Sequence, residues 1–244
     1  MPGRSTSPTT ETVSLRGSSS ETVTMGLFTK SFSLVCTSVA IATGGPSTPA
    51  LRCSGTLVSS NVVLTARHCL AHVSEPAPGC GGTLAEPRGT PDQLWVGAAP
   101  WTLPSAEWRN VSAWILPAPS HACGDDVALL VLATPFSTAE ATPARPVTSE
   151  AAFRDAVRGR VLGLAAFGAS SAATTDAGTR RSRWDIPITC VPGDLSFPCD
   201  HDLDSIGALE LASGGGPCSG DSGGGAMLPG ERDVVFGVLA RAKV

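Results

Sequence analysis

The sequence predicts an all-β protein, a sandwich or barrel, and three observations lead there. Short β-rich runs recur along the chain: Gly55-Thr56-Leu57-Val58, Val62-Val63-Leu64, Leu94-Trp95-Val96, and residues 127–132, 160–164 and 234–239. Clusters of Gly, Pro, Ser and Thr bound these runs, and no long stretch repeats its apolar residues at helical spacing. Runs of that length between turn residues read as strands, because a strand places successive side chains on opposite faces and ends where glycine or proline breaks the ladder.

Taken in order, residues 1–24 are rich in Ser and Thr and poor in apolar side chains, so residues 1–30 are expected to be a disordered or leader segment. From Met25 the chain changes: Lys30 precedes an apolar run over 32–42 that ends in Ala40-Ile41-Ala42. One reading is a short secretory signal with a small-residue cleavage site. The other is the first strand, over 35–43, turning at Gly44-Gly45-Pro46; it is preferred because the fold requires a strand there. The Pro- and Thr-rich stretch 133–150 divides the remaining chain into a first half at about 31–135 and a second at about 145–244. Each is too small for a generous core alone, so the two are expected to pack together over 31–244. No internal repeat is present, and no run of 18 apolar residues marks a membrane span.

At 244 residues, 42% hydrophobic and 16% charged, the chain has the composition of a packed protein. A net charge of -4 without a basic stripe argues against nucleic acid as a partner. The eight cysteines stand singly and not in CxxC pairs, which suits disulfides in an oxidising compartment and predicts a secreted or extracytoplasmic protein. The nearest approach to a metal cluster is His68-Cys69 with His72; no metal or organic cofactor is expected.

Three segments carry the chemistry: Thr65-Ala66-Arg67-His68-Cys69, Asp126-Val127-Ala128-Leu129-Leu130, and Cys218-Ser219-Gly220-Asp221-Ser222-Gly223-Gly224. A serine hydroxyl is a weak nucleophile until a base takes its proton, and that base needs a third group to fix its tautomer. Flanking glycines let the backbone approach a substrate closely, and the N–H groups of Gly220 and Ser222 are placed to face a developing oxyanion. Residue order selects among the known arrangements. The stretch 220–224 fits GxSxG, but no histidine follows Ser222, as an α/β-hydrolase requires; the first aspartate, Asp92, comes too late for the subtilisin order. Only His, Asp, Ser remains.

With that order, the three segments resemble the histidine, aspartate and GDSGG serine boxes of the chymotrypsin/trypsin family, over roughly residues 31–241. The resemblance implies two packed six-stranded antiparallel β-barrels with the active site between them. It also implies a serine endopeptidase acting on proteins or peptides, with a protein protease inhibitor as a further partner. His68 would be the general base, Asp126 rather than Asp125 its orienter, Ser222 the nucleophile, and Gly220 with Ser222 the oxyanion hole. Cys53 and Cys69 match the family disulfide that pins the histidine loop. Cys190–Cys199 and Cys80–Cys123 are further expected pairings. An esterase, or an inactive homologue acting as a protein-binding module, are the alternatives.

Four departures qualify the resemblance. No Arg or Lys followed by Ile-Val-Gly-Gly supplies the N-terminal ammonium that pairs, in the family, with the aspartate matching Asp221. Gly216 stands where trypsin-like members carry the aspartate of the specificity pocket, which predicts apolar or small side chains over Arg or Lys. Arg67 replaces an alanine beside His68. After Arg241 only three residues follow, so the second barrel is expected to be incomplete at its C-terminal end.

Overall fold

The structure is a computed structural model that describes residues 37–71, 83–99, 102–118, 121, 123–159, 161–171, 173–199, 206–207, 209–215 and 217–241. The first half is a closed antiparallel barrel built from β1 (Ser38–Thr43), β2 (Ala50–Ser59), β3 (Val62–Thr65), β4 (Trp95–Ala98), β5 (Glu107–Ile115) and β6 (Ala128–Leu132). Its hydrogen-bonded order is β1-β2-β3-β6-β5-β4, closing through the β1–β4 pair. The strand expected at 35–43 is therefore present as β1, and the turn after it uses Gly44 and Gly45 at φ +85° and +78°, where a side chain is strained.

Alternation explains which face of each strand enters the barrel. In β1, Val39 and Ile41 fill the interior; in β2, Cys53 and Leu57 do, meeting Val63, Val96, Val111 and Leu130. The opposite face of β1 and β2 is equally buried, and it carries small or hydroxyl side chains: Ser38, Ala40, Ser54 and Thr56. That face is the seam against the second half. Ala40 packs there with Ala99, Leu103 and Phe167, and Ser38 Oγ donates to the Ala165 carbonyl at 2.8 Å.

The second half comprises β7 (Arg145–Pro146), α1 (Glu150–Val157), β8 (Val161–Ala166), β9 (Arg181–Cys190), β10 (Ala212–Ser213), β11 (Gly225–Met227) and β12 (Val234–Val238). These strands form an open six-stranded sheet in the order β10-β9-β8-β11-β12-β7. The expectation of a second, incomplete antiparallel barrel is met in strand number and in openness. It is amended by one parallel pair, β12 with β7. Val157, Leu162, Ile186, Ile188, Val191 and Phe197 make its core. The interval 133–150 is not a bare connection, since β7 adds to the sheet and Ser149 caps α1 by accepting from Ala152 N at 3.2 Å. Two disulfides staple the described residues, Cys53–Cys69 and Cys190–Cys199, as expected. Cys123 is also disulfide-bonded; its expected partner, Cys80, lies outside the described residues, as do 1–36. Among the described residues no helix is long and apolar enough to cross a membrane.

Candidate active site

The first barrel brings two of the motif residues together by register. β3 and β6 pair antiparallel with Thr65 opposite Ala128. His68 lies three residues beyond Thr65, in the 3₁₀ turn Arg67–Cys69, and Asp126 lies two residues before Ala128, so both emerge from the same end of adjacent strands. Asp126 is buried, and both its oxygens go to one residue: Oδ1 accepts from the His68 backbone N–H at 2.8 Å, and Oδ2 lies 2.7 Å from His68 Nδ1. The neighbouring Asp125 turns the other way and meets the His121 backbone N–H and Nδ1 at 3.1 and 3.0 Å. The Cys53–Cys69 bridge ties the His68 turn to β2 across a Cα separation of 6.0 Å.

Arg67 is buried, and its guanidinium reaches the Pro117 carbonyl at 3.2 Å and Glu86 at 3.7 Å. A packed stem with its head in water is the ordinary expectation for such an arginine; here the head turns inward instead and braces the turn from behind. The ligand atoms of Cys53, His68 and Cys69 all lie within 4.8 Å of one another. The two sulfurs are consumed in the disulfide, so the trio serves as a staple and offers no thiolate to a metal.

Ser222 sits in the turn before β11. Gly223, at φ +81°, presses against the first barrel so closely that a Cβ there would lie 2.1 Å from Thr65 Oγ1 and 2.3 Å from the Ser54 carbonyl. This approach sets Ser222 beside the strand end that leads to His68, and the Ser222 carbonyl accepts from Ser54 N at 2.8 Å. Among the described residues the Ser222 hydroxyl makes no hydrogen bond, to His68 or to any other group. The structure thus joins His68 to Asp126 and brings the Ser222 backbone alongside, without closing the Ser222–His68 bond.

The backbone around Ser222 divides sharply. Asp221, Gly223 and Gly224 donate their N–H groups to the carbonyls of Cys218, Leu239 and Asp221 at 3.0, 2.8 and 2.9 Å. The N–H groups of Gly220 and Ser222 have no acceptor among the described residues. Ser219 is exposed to solvent, whereas Gly220 and Ser222 are half-buried, and two half-buried donors left without a protein partner mark a place for an incoming acceptor. Gly220 stands at φ +94°.

Asp221 points away from Ser222. Its carboxylate accepts from Gly168 N at 2.9 Å and Cys218 N at 2.8 Å. Burial pushes its pKa above the ordinary carboxylate value, and the two N–H donors and the charge of Arg181 offset this only in part. A cavity of about 1090 Å³ opens beside it, lined by second-half side chains including Leu164, Ile186, Leu211 and Phe236, with Glu210 and Asp221 as its carboxylates. Glu210 is committed to Arg241 and to Gly124 N at 3.0 Å and Gly207 N at 2.7 Å. Gly216, the expected pocket base, lies outside the described residues.

A closed barrel and an open sheet that share a buried seam, with a His–Asp pair at its edge and a glycine-flanked serine opposite, define the architecture of chymotrypsin-like proteins. The trypsin family model matches residues 34–241, and the chain belongs to that family of serine proteases. Solved structures similar to it include HBP at atomic resolution, with 17% identity, TM-score 0.55, and coverage of 85% of this chain and 80% of that one. A mutant of human heparin binding protein (CAP37) has 16% identity, TM-score 0.56, and coverage of 88% and 81%. The scabies mite inactivated protease paralogue S-I1 has 19% identity, TM-score 0.58, and coverage of 83% and 81%. At these identities the likeness speaks for the fold. No curated protein matches the chain.

Proposed function

We propose that the protein is a secreted serine endopeptidase that cleaves peptide bonds through an acyl-enzyme, with His68, Asp126 and Ser222 as its catalytic triad. The observation that carries this reading is the His68–Asp126 pair, in which a buried carboxylate holds both the backbone N–H and Nδ1 of one histidine. An ionised carboxylate accepts only, so it selects the tautomer with hydrogen on Nδ1 and leaves a lone pair on Nε2. Nε2 then takes the Ser222 proton as Oγ attacks the scissile carbonyl carbon. The open N–H groups of Gly220 and Ser222 receive the resulting oxyanion. As the tetrahedral species collapses, the C–N bond breaks and the leaving amine takes the proton from Nε2. Water then attacks the acyl ester, giving its proton to Nε2, and the proton returns to Ser222 Oγ when the acid departs. The hydroxyl must first rotate onto His68, a closure that commonly awaits substrate.

The expected substrates are proteins and peptides, with a preference at the cleavage site for apolar or small side chains over Lys or Arg. Gly216 supplies no charge, and the carboxylates of the adjoining cavity are already engaged, Glu210 by Arg241 and Asp221 by two N–H groups. A protease inhibitor protein that presents such a side chain would fit the same cleft. The second reading is a non-catalytic homologue that binds proteins. The unbonded Ser222 hydroxyl favours it, as does the fold likeness to a scabies mite protein named as an inactivated protease paralogue. A fluorophosphonate probe separates the two. Labelling that vanishes in Ser222→Ala and falls sharply in His68→Ala supports the enzyme, and a folded but unlabelled protein supports the binding module. A peptide library cleaved chiefly after Lys or Arg would overturn the specificity.

A further inference from the structure

We propose that Ser54, on the first barrel, is the positioning residue that holds the Gly220–Ser222 loop in the shape needed to receive an oxyanion; this rests on the protease reading above. Ser54 is fully buried, and its hydroxyl and its N–H both bond across the seam. Its Oγ–H donates to the Gly220 carbonyl at 2.8 Å, and Oγ accepts from the Phe167 N–H at 2.9 Å. Its N–H donates to the Ser222 carbonyl at 2.8 Å, and its carbonyl accepts from Thr65 Oγ1 at 2.9 Å. One residue of β2 is therefore bonded to both members of the expected oxyanion hole, to the end of β8, and to the strand that leads into His68.

The side-chain bond matters because of what it orients. Gly220 occupies a conformation, φ +94°, in which a chain without a side chain has wide freedom, so its peptide planes need outside restraint. Two acceptors supply it. The Ser219 carbonyl is taken by Ala169 N–H at 2.9 Å, and the Gly220 carbonyl by Ser54 Oγ. In a trans peptide the N–H lies opposite the preceding carbonyl, so fixing the Ser219 carbonyl toward Ala169 aims the Gly220 N–H the other way. Fixing the Gly220 carbonyl stops the next plane from rotating to undo that aim. Removal of the hydroxyl leaves the half-buried Gly220 carbonyl and the buried Phe167 N–H without their partner, which the loop can repair only by turning. That repair would swing the Gly220 N–H out of position.

The test uses the full-length protein with Ser54→Ala, Ser54→Gly and Ser54→Thr, assayed on a peptide substrate and with the fluorophosphonate probe. In Ser54→Ala, kcat falls on the order of 10- to 100-fold while KM stays within about twofold, because the donors act on the transition state more than on bound substrate. Ser54→Gly also deletes the hydroxyl and gives a second measurement of that loss; Ser54→Thr retains the hydroxyl and restores most of kcat. An unchanged kcat in Ser54→Ala, beside an active parent, overturns the role of Ser54 and leaves the protease reading standing. Loss of folding in both Ala and Gly variants assigns Ser54 to stability alone and also overturns it. If the parent itself is folded but inert, the protease reading fails, and amide hydrogen exchange decides the loop. Faster exchange over 218–224 in Ser54→Ala, with β5 and β6 unchanged, supports the restraint; equal exchange in both regions overturns it.

Discussion

The two halves of this protein share a chain and a strand count, yet they solve the problem of burying a sheet differently. In the first barrel every strand has two neighbours and no edge is left, and Val39, Ile41, Leu57, Val63, Val96, Val111 and Leu130 are wholly removed from solvent. The second sheet stays open. Its edges are the two-residue strands β10 and β7, its core residues retain up to 8% exposure, and a cavity of about 1090 Å³ lies against its apolar face. Short edge strands limit edge-to-edge association, but an open face packs less completely. The division of labour follows from this. The histidine and its aspartate grow from the closed half, where strand register alone fixes their separation. The serine grows from the open half, and its loop takes its shape from bonds to Ser54 across the seam.

The largest effects test whether both halves are needed for one reaction. Ser222→Ala on the open half and His68→Ala on the closed half should each reduce kcat by at least about 10⁴-fold, and the double variant should lose little more. Additive losses, read from single-turnover kinetics, would show that the two residues do not act as a unit. Asp126→Asn should cost about 10⁴-fold as well, since an amide no longer enforces the Nδ1–H tautomer.

Packing gives the next contrast. Leu130→Ala, in the wholly buried barrel core, should destabilise by about 3–5 kcal/mol, and Ile186→Ala, which borders the cavity, by about 2 kcal/mol. Urea titrations that return equal losses would erase the difference between the halves. The disulfides should differ less. Chain-entropy arguments give about 3 kcal/mol for Cys53–Cys69 and about 2.6 kcal/mol for Cys190–Cys199, from sequence separations of 16 and 9. Paired Cys→Ala variants would measure each.

The smallest effect is a pH dependence in which two carboxylates near the Phe167–Arg181 region oppose each other. Asp176 is held well below its usual value of 3.8, first by the Ser170 backbone N–H and then by the Thr174 hydroxyl, with Arg181 assisting. A depressed native pKa contributes stability that is present above 3.8 and is lost as pH falls through the native value. Asp221 works in the opposite sense. Burial raises its pKa, so its ionised form subtracts stability, and that penalty fades as pH falls through its native value. Asp176→Asn should therefore flatten the acid limb of a Tm-against-pH curve and leave the neutral limb in place. An unchanged acid limb would mean that other carboxylates govern it.

How much of this was legible beforehand varies by element. The runs at 55–58, 62–64 and 127–132 became β2, β3 and β6 because alternation and turn residues act locally. Asp126 directly precedes the 127–132 run, and in the structure it meets His68 while Asp125 meets His121. Helix α1 was missed although its signals are present: Ser149 as cap, Glu150 in the first turn, and Phe153, Ala156 and Val157 on one face. At eight residues its period is too brief to stand out against the surrounding Pro and Thr. The parallel β7–β12 pair left no local mark at all. It is made by the Arg145 and Val147 N–H groups donating to the Asp233 and Val235 carbonyls at 2.6 and 2.8 Å, some ninety residues away, with the exposed Arg145 side chain reaching Asp233 and Glu231 alongside.

Composition, residue order and alternation by themselves determined the strand-rich class, the disulfide chemistry and the His–Asp–Ser order. Each of these is written into the covalent chain and needs no knowledge of what lies opposite. Tertiary structure alone decided that the outer face of β1 and β2 is a buried seam. It also decided that Ser54 meets Gly220 across 166 positions of sequence, and that the half-buried amides of Gly220 and Ser222 are left open. A hydrogen bond between distant residues is settled by how two sheets settle against each other, and that packing minimum is a property of the whole molecule.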